Sequence, residues 1–217
     1  MPLIMHFIKA PRFFDPYIEE YISLPFADLQ KINSYYDWKE RVKAGKECCS
    51  LKEWSGFSKE ELPHEEVVGY YKEHYKWNPF ISDWDCEKTQ VKSIFADLAR
   101  LSRMEQLANW AMKYVAMGKL EEGHHYEVSK EQLKDLYRRL RSTQLCIDYV
   151  GDELTVIDPS IAKEFMPLFD AESAVGRDDR YNEFYASQLV EAYSVVLNIL
   201  ISTDFEKESI YFVASNM

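Results

Sequence analysis

The two ends of the chain constrain the fold most, because each carries a short apolar segment. The first, Leu3 to Ile8, is followed at once by a lysine and then by a proline, and the second, Ser209 to Ser215, has four apolar residues at its centre. Segments of this length and composition predict buried strands rather than helices. A buried strand needs hydrogen-bond partners for its backbone, so we expect the two ends to lie in one small sheet.

Helical periodicity fills most of the chain between these ends, where apolar residues recur every three or four positions. Ser129, followed three residues later by Gln132, predicts a capping box at the start of one helix. The fold class predicted is therefore α+β and mainly helical, with long amphipathic helices packed on a small sheet that includes both terminal strands. The predicted helices cover residues 26–42, 67–75, 91–117, 130–140 and 181–202.

Two later segments are less defined by pattern. Cys146 to Val150 and Leu154 to Ile157 flank a Gly-Asp-Glu sequence, which fits either a β-hairpin or a frayed helix end. Asp158-Pro159 then predicts a helix start, with the cap first and proline in the first turn.

Length and charge limit the classes of function. The chain has 217 residues, with 26 Lys and Arg against 37 Asp and Glu, giving a net charge of −11. This length suits a single domain, residues 1–217, and the negative balance argues against direct nucleic-acid binding. With neither a signal-peptide pattern nor an apolar run of about 20 residues, we expect no membrane association and a cytoplasmic location. The sequence carries no indication of oligomeric state.

Cysteine and histidine spacing predicts no metal site and no cofactor. Cys48 and Cys49 are adjacent, which matches no standard zinc pair. His124 and His125 are tandem, and on a strand such neighbours point to opposite faces, although His6 on a partner strand could join one of them. Folding is therefore expected to need no metal or organic cofactor.

Five short blocks occur in a fixed order along the chain: Leu3 to Lys9, Leu107 to Trp110, Tyr126 to Leu133, Gly176 to Tyr185 and Ile210 to Asn216. Together they resemble a family of small proteins of unknown function common in tailed phages and prophages. Members of that family typically begin Met-Gly-Leu-Asp-Met-Tyr-Leu-Tyr-Lys and end Phe-Tyr-Tyr-Gln-Ser-Ser-Trp. The resemblance covers the first ten residues and everything after about position 91. It implies a phage or prophage setting and brings no established activity.

Residues 13–85 have no counterpart in that family and are predicted to be an elaboration or subdomain inserted into the family-like scaffold. Tryptophans anchor interfaces when they are exposed, and function tends to lie in such additions. We therefore expect partner binding here; the alternative is that these aromatic residues form a second small core. The insertion holds four of the five tryptophans, Trp38, Trp54, Trp77 and Trp84.

A second candidate binding site is the acidic group Asp178, Asp179 and Glu183, close to Gly176. Neighbouring carboxylates can act in binding or in proton transfer. The same residues precede a predicted helix, where acidic side chains stabilise the N-terminal end of the helix dipole. We identify no catalytic residue.

Two hypotheses of function follow. The favoured one is a non-catalytic, phage- or prophage-type accessory protein that binds, and could inhibit, a host or defence protein through an acidic, aromatic-rich surface. The alternative is a small enzyme or nucleotide-binding protein with a pocket between the sheet and the long helices. A deep pocket with convergent polar groups would favour the alternative, and a shallow charged face with exposed aromatic residues would favour the first.

Overall fold

The structure is a computed structural model that describes residues 3–46, 49–81, 88–102, 104–150, 153–156 and 179–216. Its strands are β1 (Leu3–Pro11), β2 (Phe13–Asp15), β3 (Glu20–Ile22), β4 (Lys76–Ile81), β5 (Lys88–Ser93), β6 (Ala96–Ser102), β7 (His125–Val128), β8 (Ile147–Val150), β9 (Glu153–Val156) and β10 (Glu208–Asn216). Its helices are α1 (Phe26–Lys43), α2 (Leu51–Ser55), α3 (Glu65–Tyr71), α4 (Glu105–Tyr114), α5 (Lys130–Cys146) and α6 (Asp179–Ser202), with a 3-10 turn at Lys59–Glu61.

A four-stranded antiparallel sheet takes in both ends of the chain, in the order β6-β1-β10-β7. The rings of Phe7 on β1 and Phe212 on β10 meet edge to face, with their centroids 5.4 Å apart. Near one end of the pair, the backbone N–H of Arg12 donates to the carbonyl oxygen of Lys207 at 2.8 Å. The predicted pairing of the terminal strands is confirmed, because each apolar end supplies the other with backbone partners.

The prediction of a mainly helical protein is wrong. The fold is α+β, with 44% helix and 28% strand among the residues that are placed with confidence. The largest error lies in residues 91–117, predicted as one long helix. In the described part of this range, β5 and β6 come first and only Glu105–Tyr114 is helical. In β6, Ala99 and Leu101 are buried at alternate positions, which is the period of a strand. Pairing within the sheet outweighs the local helical spacing.

The chain divides into two compact units. The first contains Met1–Phe7, Leu98–Thr203 and Phe212–Met217, and the second contains Ile8–Asp97 and Asp204–Tyr211. Residues 13–85 lie inside the second unit. That residues 1–217 form a single domain, with residues 13–85 as an insertion into it, stays a prediction.

In the second unit, α1 follows the expected spacing closely. It buries Phe26, Leu29, Ile32 and Tyr36, and ends just before Gly45, whose φ of 66° lies in the left-handed region that favours glycine. Two antiparallel hairpins, β2–β3 and β4–β5, were not predicted. The β4 strand contains a proline, which sequence patterns place outside strands, but which a two-stranded sheet tolerates at its edges.

In the first unit, the predicted capping box at Ser129 is confirmed. The backbone N–H of Ser129 donates to Oε1 of Gln132 at 2.8 Å, and that of Gln132 donates to Oγ of Ser129 at 3.1 Å. The helix that follows buries Leu133, Leu136 and Leu140 completely. For the segment after this helix, the sequence fitted either a β-hairpin or a frayed helix end. The structure has an antiparallel hairpin there, formed by β8 and β9. The helix start expected at Asp158-Pro159 lies outside the described residues.

Trp110 on α4 is a central core residue of the first unit. Its side chain is 0% exposed, and its Nε1 donates to Oδ2 of Asp135 on α5 at 3.4 Å. The same carboxylate oxygen accepts a hydrogen bond of 2.6 Å from Nε of Arg139. Trp110 therefore joins α4 to α5 both by packing and by a polar contact.

Replacing Trp110 by Ala should lower the free energy of unfolding by about 3–5 kcal/mol, the usual range for removing a large buried aromatic side chain. Urea denaturation followed by circular dichroism measures this loss. Trp110→Phe, which keeps much of the packing, should lose distinctly less. A loss under about 1 kcal/mol for Trp110→Ala would contradict the core assignment.

Deleting Ile210 to Met217 should unfold the protein. The deletion removes most of β10 and the side chains of Ile210 and Phe212, both 0% exposed, and it leaves backbone groups of β1 and β7 without partners. Circular dichroism and thermal melting measure the outcome. A truncated chain that keeps the melting temperature of the full-length protein would show that the sheet does not depend on its C-terminal strand.

Candidate functional site

The tryptophans predicted to bind a partner lie at the surface wherever the structure describes them. Trp77 on β4 is 63% exposed, Trp54 on α2 is 38% exposed, and Trp38 on α1 is half-buried. Trp84 lies outside the described residues. The structure thus brings Trp38 and Trp54 close to the same face of α1, whereas Trp77 lies on a different element.

Tyr35, Trp38, Lys39, Arg41 and Trp54 form what we call the aromatic–basic surface. The rings of Tyr35 and Trp38 stack with centroids 6.3 Å apart, and Nε1 of Trp38 donates to the carbonyl oxygen of Cys49 at 3.0 Å. The guanidinium carbon of Arg41 lies 4.1 Å from the centre of the Trp54 ring, a cation–π contact. These contacts hold both tryptophans in defined positions at the surface.

A cavity of about 350 Å³ opens beside this surface, between α1, the loop after the 3-10 turn, and α3; we call it the lysine pocket. Its α1 wall consists of Tyr35, Tyr36 and Lys39. The hydroxyl of Tyr36 donates to the carbonyl oxygen of Val68 at 2.7 Å, which ties α1 to α3. Burial, and to a smaller extent the neighbouring Tyr35, raises the pKa of Tyr36, so its hydroxyl stays protonated and keeps donating.

Among the residues that line the lysine pocket, positive charge predominates. Its charged lining residues are Lys39, Lys59 and Lys72 against the single carboxylate of Glu65. None of these three ammonium groups forms an ion pair with any residue that the structure describes. The expected acidic binding surface is therefore not what this pocket presents, even though the whole chain carries a net charge of −11.

Gly69, in the interior of α3, forms part of the pocket wall. Glycine inside a helix is less stable than alanine by about 1 kcal/mol. Neither its backbone conformation nor its neighbours require glycine here, because a Cβ at this position would meet no atom within 4 Å. Sequence analysis missed the pocket, and this unexplained helical glycine is the one signal that could have indicated it.

The acidic candidate group is described only in part. Asp179 begins α6 and Glu183 follows one turn later, so both lie at the N-terminal end of a helix, where acidic residues stabilise the helix dipole. Asp178 lies outside the described residues. The position of Asp179 and Glu183 fits the interpretation in which these acidic residues stabilise the helix.

The histidines considered as metal ligands are arranged differently from the sequence expectation. β10 lies between β1 and β7, so the strand of His6 is not the direct partner of the strand of His125. His124 precedes β7, is exposed, and packs against the ring of Tyr126 with centroids 4.5 Å apart. In the described part of the chain, no three His, Cys, Asp or Glu side chains are grouped so that they could hold a metal ion.

His125 is half-buried, and its environment disfavours the charged imidazolium. Burial is the largest cause, with smaller contributions from His124 and His6, and together they lower the pKa of His125 to about 4. The side chain is therefore neutral at neutral pH. Its contribution to stability is fully present above the ordinary histidine pKa of about 6.5 and is lost as the pH falls toward 4.

Replacing His125 by Phe should flatten the loss of stability between pH 6.5 and 4. Because the side chain is only half-buried, solvent screens the effect. We expect the substitution to remove about 1–2 kcal/mol of the pH-dependent loss in the free energy of unfolding. Melting temperatures measured every half pH unit test this, with His124→Gln as the matched exposed control. Identical pH profiles for His125→Phe and the unmodified protein would contradict the lowered pKa of His125.

Of the helices that the structure describes, not one has the length and apolar character that crossing a bilayer requires. No protein-family model matches the chain, and neither a curated protein nor a solved structure is significantly similar to it. The resemblance to the phage and prophage family therefore stays a prediction.

Proposed function

We propose that this chain is a phage- or prophage-type accessory protein that binds a host or defence protein, and that residues 13–85 supply the binding surface. The phage setting is supported by the five sequence blocks, and protein binding is supported by the surface of the second unit. Inhibition of the bound protein is the expected consequence if that surface covers a functional site of the partner.

The observation that carries the proposal is the different placement of the tryptophans. Trp110 in the first unit is wholly buried, whereas Trp54 and Trp77 in the second unit are 38% and 63% exposed. An exposed indole ring forgoes part of the stabilisation that its large apolar area gives when buried. Tryptophan is also among the residue types enriched at the energetic centres of protein interfaces. Burial against a partner accounts for both facts.

The aromatic–basic surface is organised before any partner arrives. Arg41 covers the Trp54 ring at 4.1 Å and donates from Nε to Oδ2 of Asp37 at 3.3 Å, so the guanidinium is held from two sides. Side chains that are already ordered lose less conformational entropy on binding. The surface is therefore suited to act as an anchor for a protein partner.

The lysine pocket itself favours binding over catalysis. The alternative hypothesis expects its pocket between the terminal sheet and the long helices, whereas the lysine pocket lies between α1 and α3. Its charged groups are three lysines and one glutamate, without a histidine or a second carboxylate to form an acid–base pair. Such a lining is suited to binding an anionic group.

Replacing Trp54 and Trp77 together by Ala should lower the amount of captured partner at least tenfold, because interface tryptophans contribute about 2 kcal/mol or more each. The purified protein serves as bait in a bacterial lysate, and the captured proteins are quantified by mass spectrometry. Ile201→Ala, a large exposed residue of the first unit at 74% exposure, is the matched control. Both variants should melt within a few degrees of the unmodified protein.

Substitution of Asp179 and Glu183 by Lys supplies the competing test. If this pair of changes abolishes capture and the tryptophan changes do not, the binding surface belongs to the scaffold rather than to residues 13–85. Equal capture by all variants and by an unrelated acidic protein would reject specific protein binding altogether.

A further inference from the structure

We propose that the lysine pocket binds a short acidic segment of the partner protein, with its carboxylates at Lys39, Lys59 and Lys72. This inference rests on the proposed protein-binding function and specifies the chemistry that the partner must present. It assigns a ligand class to a cavity that the sequence did not indicate.

The charges of the pocket are arranged for an anion supplied from outside. Lys39 lies on α1, Lys59 lies in the 3-10 turn, and Lys72 directly follows the last residue of α3, so three separate parts of the chain bring ammonium groups to one cavity. Within the described chain, none of the three is neutralised by an ion pair. Carboxylates form charge-assisted hydrogen bonds with such groups, and complementary charge fixes the orientation of a bound segment.

Lys39 is also held in place. Its Nζ lies 5.0 Å from the centre of the Tyr35 ring and 6.0 Å from that of Tyr36, and both rings line the cavity. Cation–π contacts of this kind restrict the ammonium group without neutralising its charge. The positive charge therefore stays available at a defined place in the pocket wall.

Apart from Glu65, whose carboxylate also lines the pocket, the rest of the wall is mostly apolar. Leu62 and Pro63 from the loop and Val68 from α3 lie beside the lysines. A cavity of about 350 Å³ can admit one or two side chains of a peptide, but it is at the small end of the range for small-molecule sites. The fitting ligand thus combines acidic residues with one apolar side chain, a composition that proteins commonly present on exposed segments.

Gly69 gives an independent reason to consider the cavity functional. A helical glycine normally lowers stability, and here neither the backbone angle nor a close neighbour calls for it. A side chain at this position would extend into open space at the pocket wall. Glycine at this exposed position therefore leaves that space free, at a cost in helix stability.

A nucleic acid fits the pocket less well than a peptide. Binding of a polyanionic backbone depends on many Lys and Arg contacts spread along a groove, and the chain as a whole carries a charge of −11. Three lysines at one cavity can compensate a local cluster of carboxylates, while the surrounding negative charge repels a long polyanion. The pocket therefore favours a short acidic segment.

The test uses the full-length protein and a defined probe, the fluorescein-labelled peptide Glu-Glu-Leu-Asp-Glu-Glu, titrated by fluorescence anisotropy at low salt. We expect this peptide to bind at least tenfold more tightly than its amide analogue Gln-Gln-Leu-Asn-Gln-Gln. Lys39→Ala and Lys72→Ala should each weaken binding about fivefold, since both lysines are exposed. Lys113→Ala should change binding less than twofold; this lysine lies 5.3 Å from the Tyr114 ring in the first unit and is the matched control.

Substitutions of Gly69 test the same pocket by adding a side chain without changing its charge. Gly69→Leu should place a large side chain at the pocket wall and weaken peptide binding at least tenfold, while raising the melting temperature because leucine favours the helix. Gly69→Ala should raise the melting temperature and lose only part of the affinity. A rise in melting temperature with loss of binding separates occlusion of the pocket from unfolding.

Three results would overturn the inference: equal affinity for the acidic and amide peptides, unchanged binding by Lys39→Ala and Gly69→Leu, or tighter binding of a single-stranded oligonucleotide than of the acidic peptide. These results are distinguishable from failure of the proposed function. If the tryptophan variants lose partner capture while the peptide does not bind, protein binding stands and the pocket assignment falls. If the peptide binds as expected while capture ignores the tryptophans, the pocket stands without the aromatic–basic surface.

Discussion

The pairing of β1 with β10 is the constraint on which the rest of the structure depends. β10 lies between β1 and β7, so both of its edges are used by the sheet. At one end of the pair, Nζ of Lys9 lies 3.1 Å from Oε1 of Glu208, and Nε of Arg12 donates to Oγ of Ser209 at 3.0 Å. Residues of both strands belong to both compact units. The core of each unit therefore requires the two ends of the chain to be in place.

Local sequence patterns predicted the elements that depend on neighbouring residues. They failed where a segment becomes a strand because it pairs within a sheet. Helix α1 and the capping box at Ser129 depend on neighbours within a few residues, and both could be predicted from the sequence. Residues 96–102 could not, because apolar side chains spaced like those of a helix also fit a strand, and the partner of β6 is β1, which is distant in sequence. The alternate burial of Ala99 and Leu101 emerges only once β6 has joined the sheet.

The candidate site could be predicted only in part, because some of its residues are neighbours in the sequence and others are brought together by the fold. The tryptophans of residues 13–85 could be found from the sequence, since the chain has only five tryptophans and four of them lie in this segment. The lysine pocket could not, because Lys39, Lys59 and Lys72 come from three elements and lie up to 33 positions apart in the numbering. Their convergence depends on the packing of α1 against α3, which the hydrogen bond from Tyr36 to Val68 helps to fix at 2.7 Å.

Helix α1 serves the fold and the proposed site at once, and its two roles meet at Tyr36. Leu29 and Ile32 are wholly buried, whereas Tyr35, Trp38 and Lys39 lie on the part of the helix that contributes to the surface. Tyr36 is largely buried and also lines the pocket. Because its hydroxyl positions α3, a change there would move both the core and the pocket wall. The lysines and Gly69 are therefore the positions at which binding can be altered while the core is left intact.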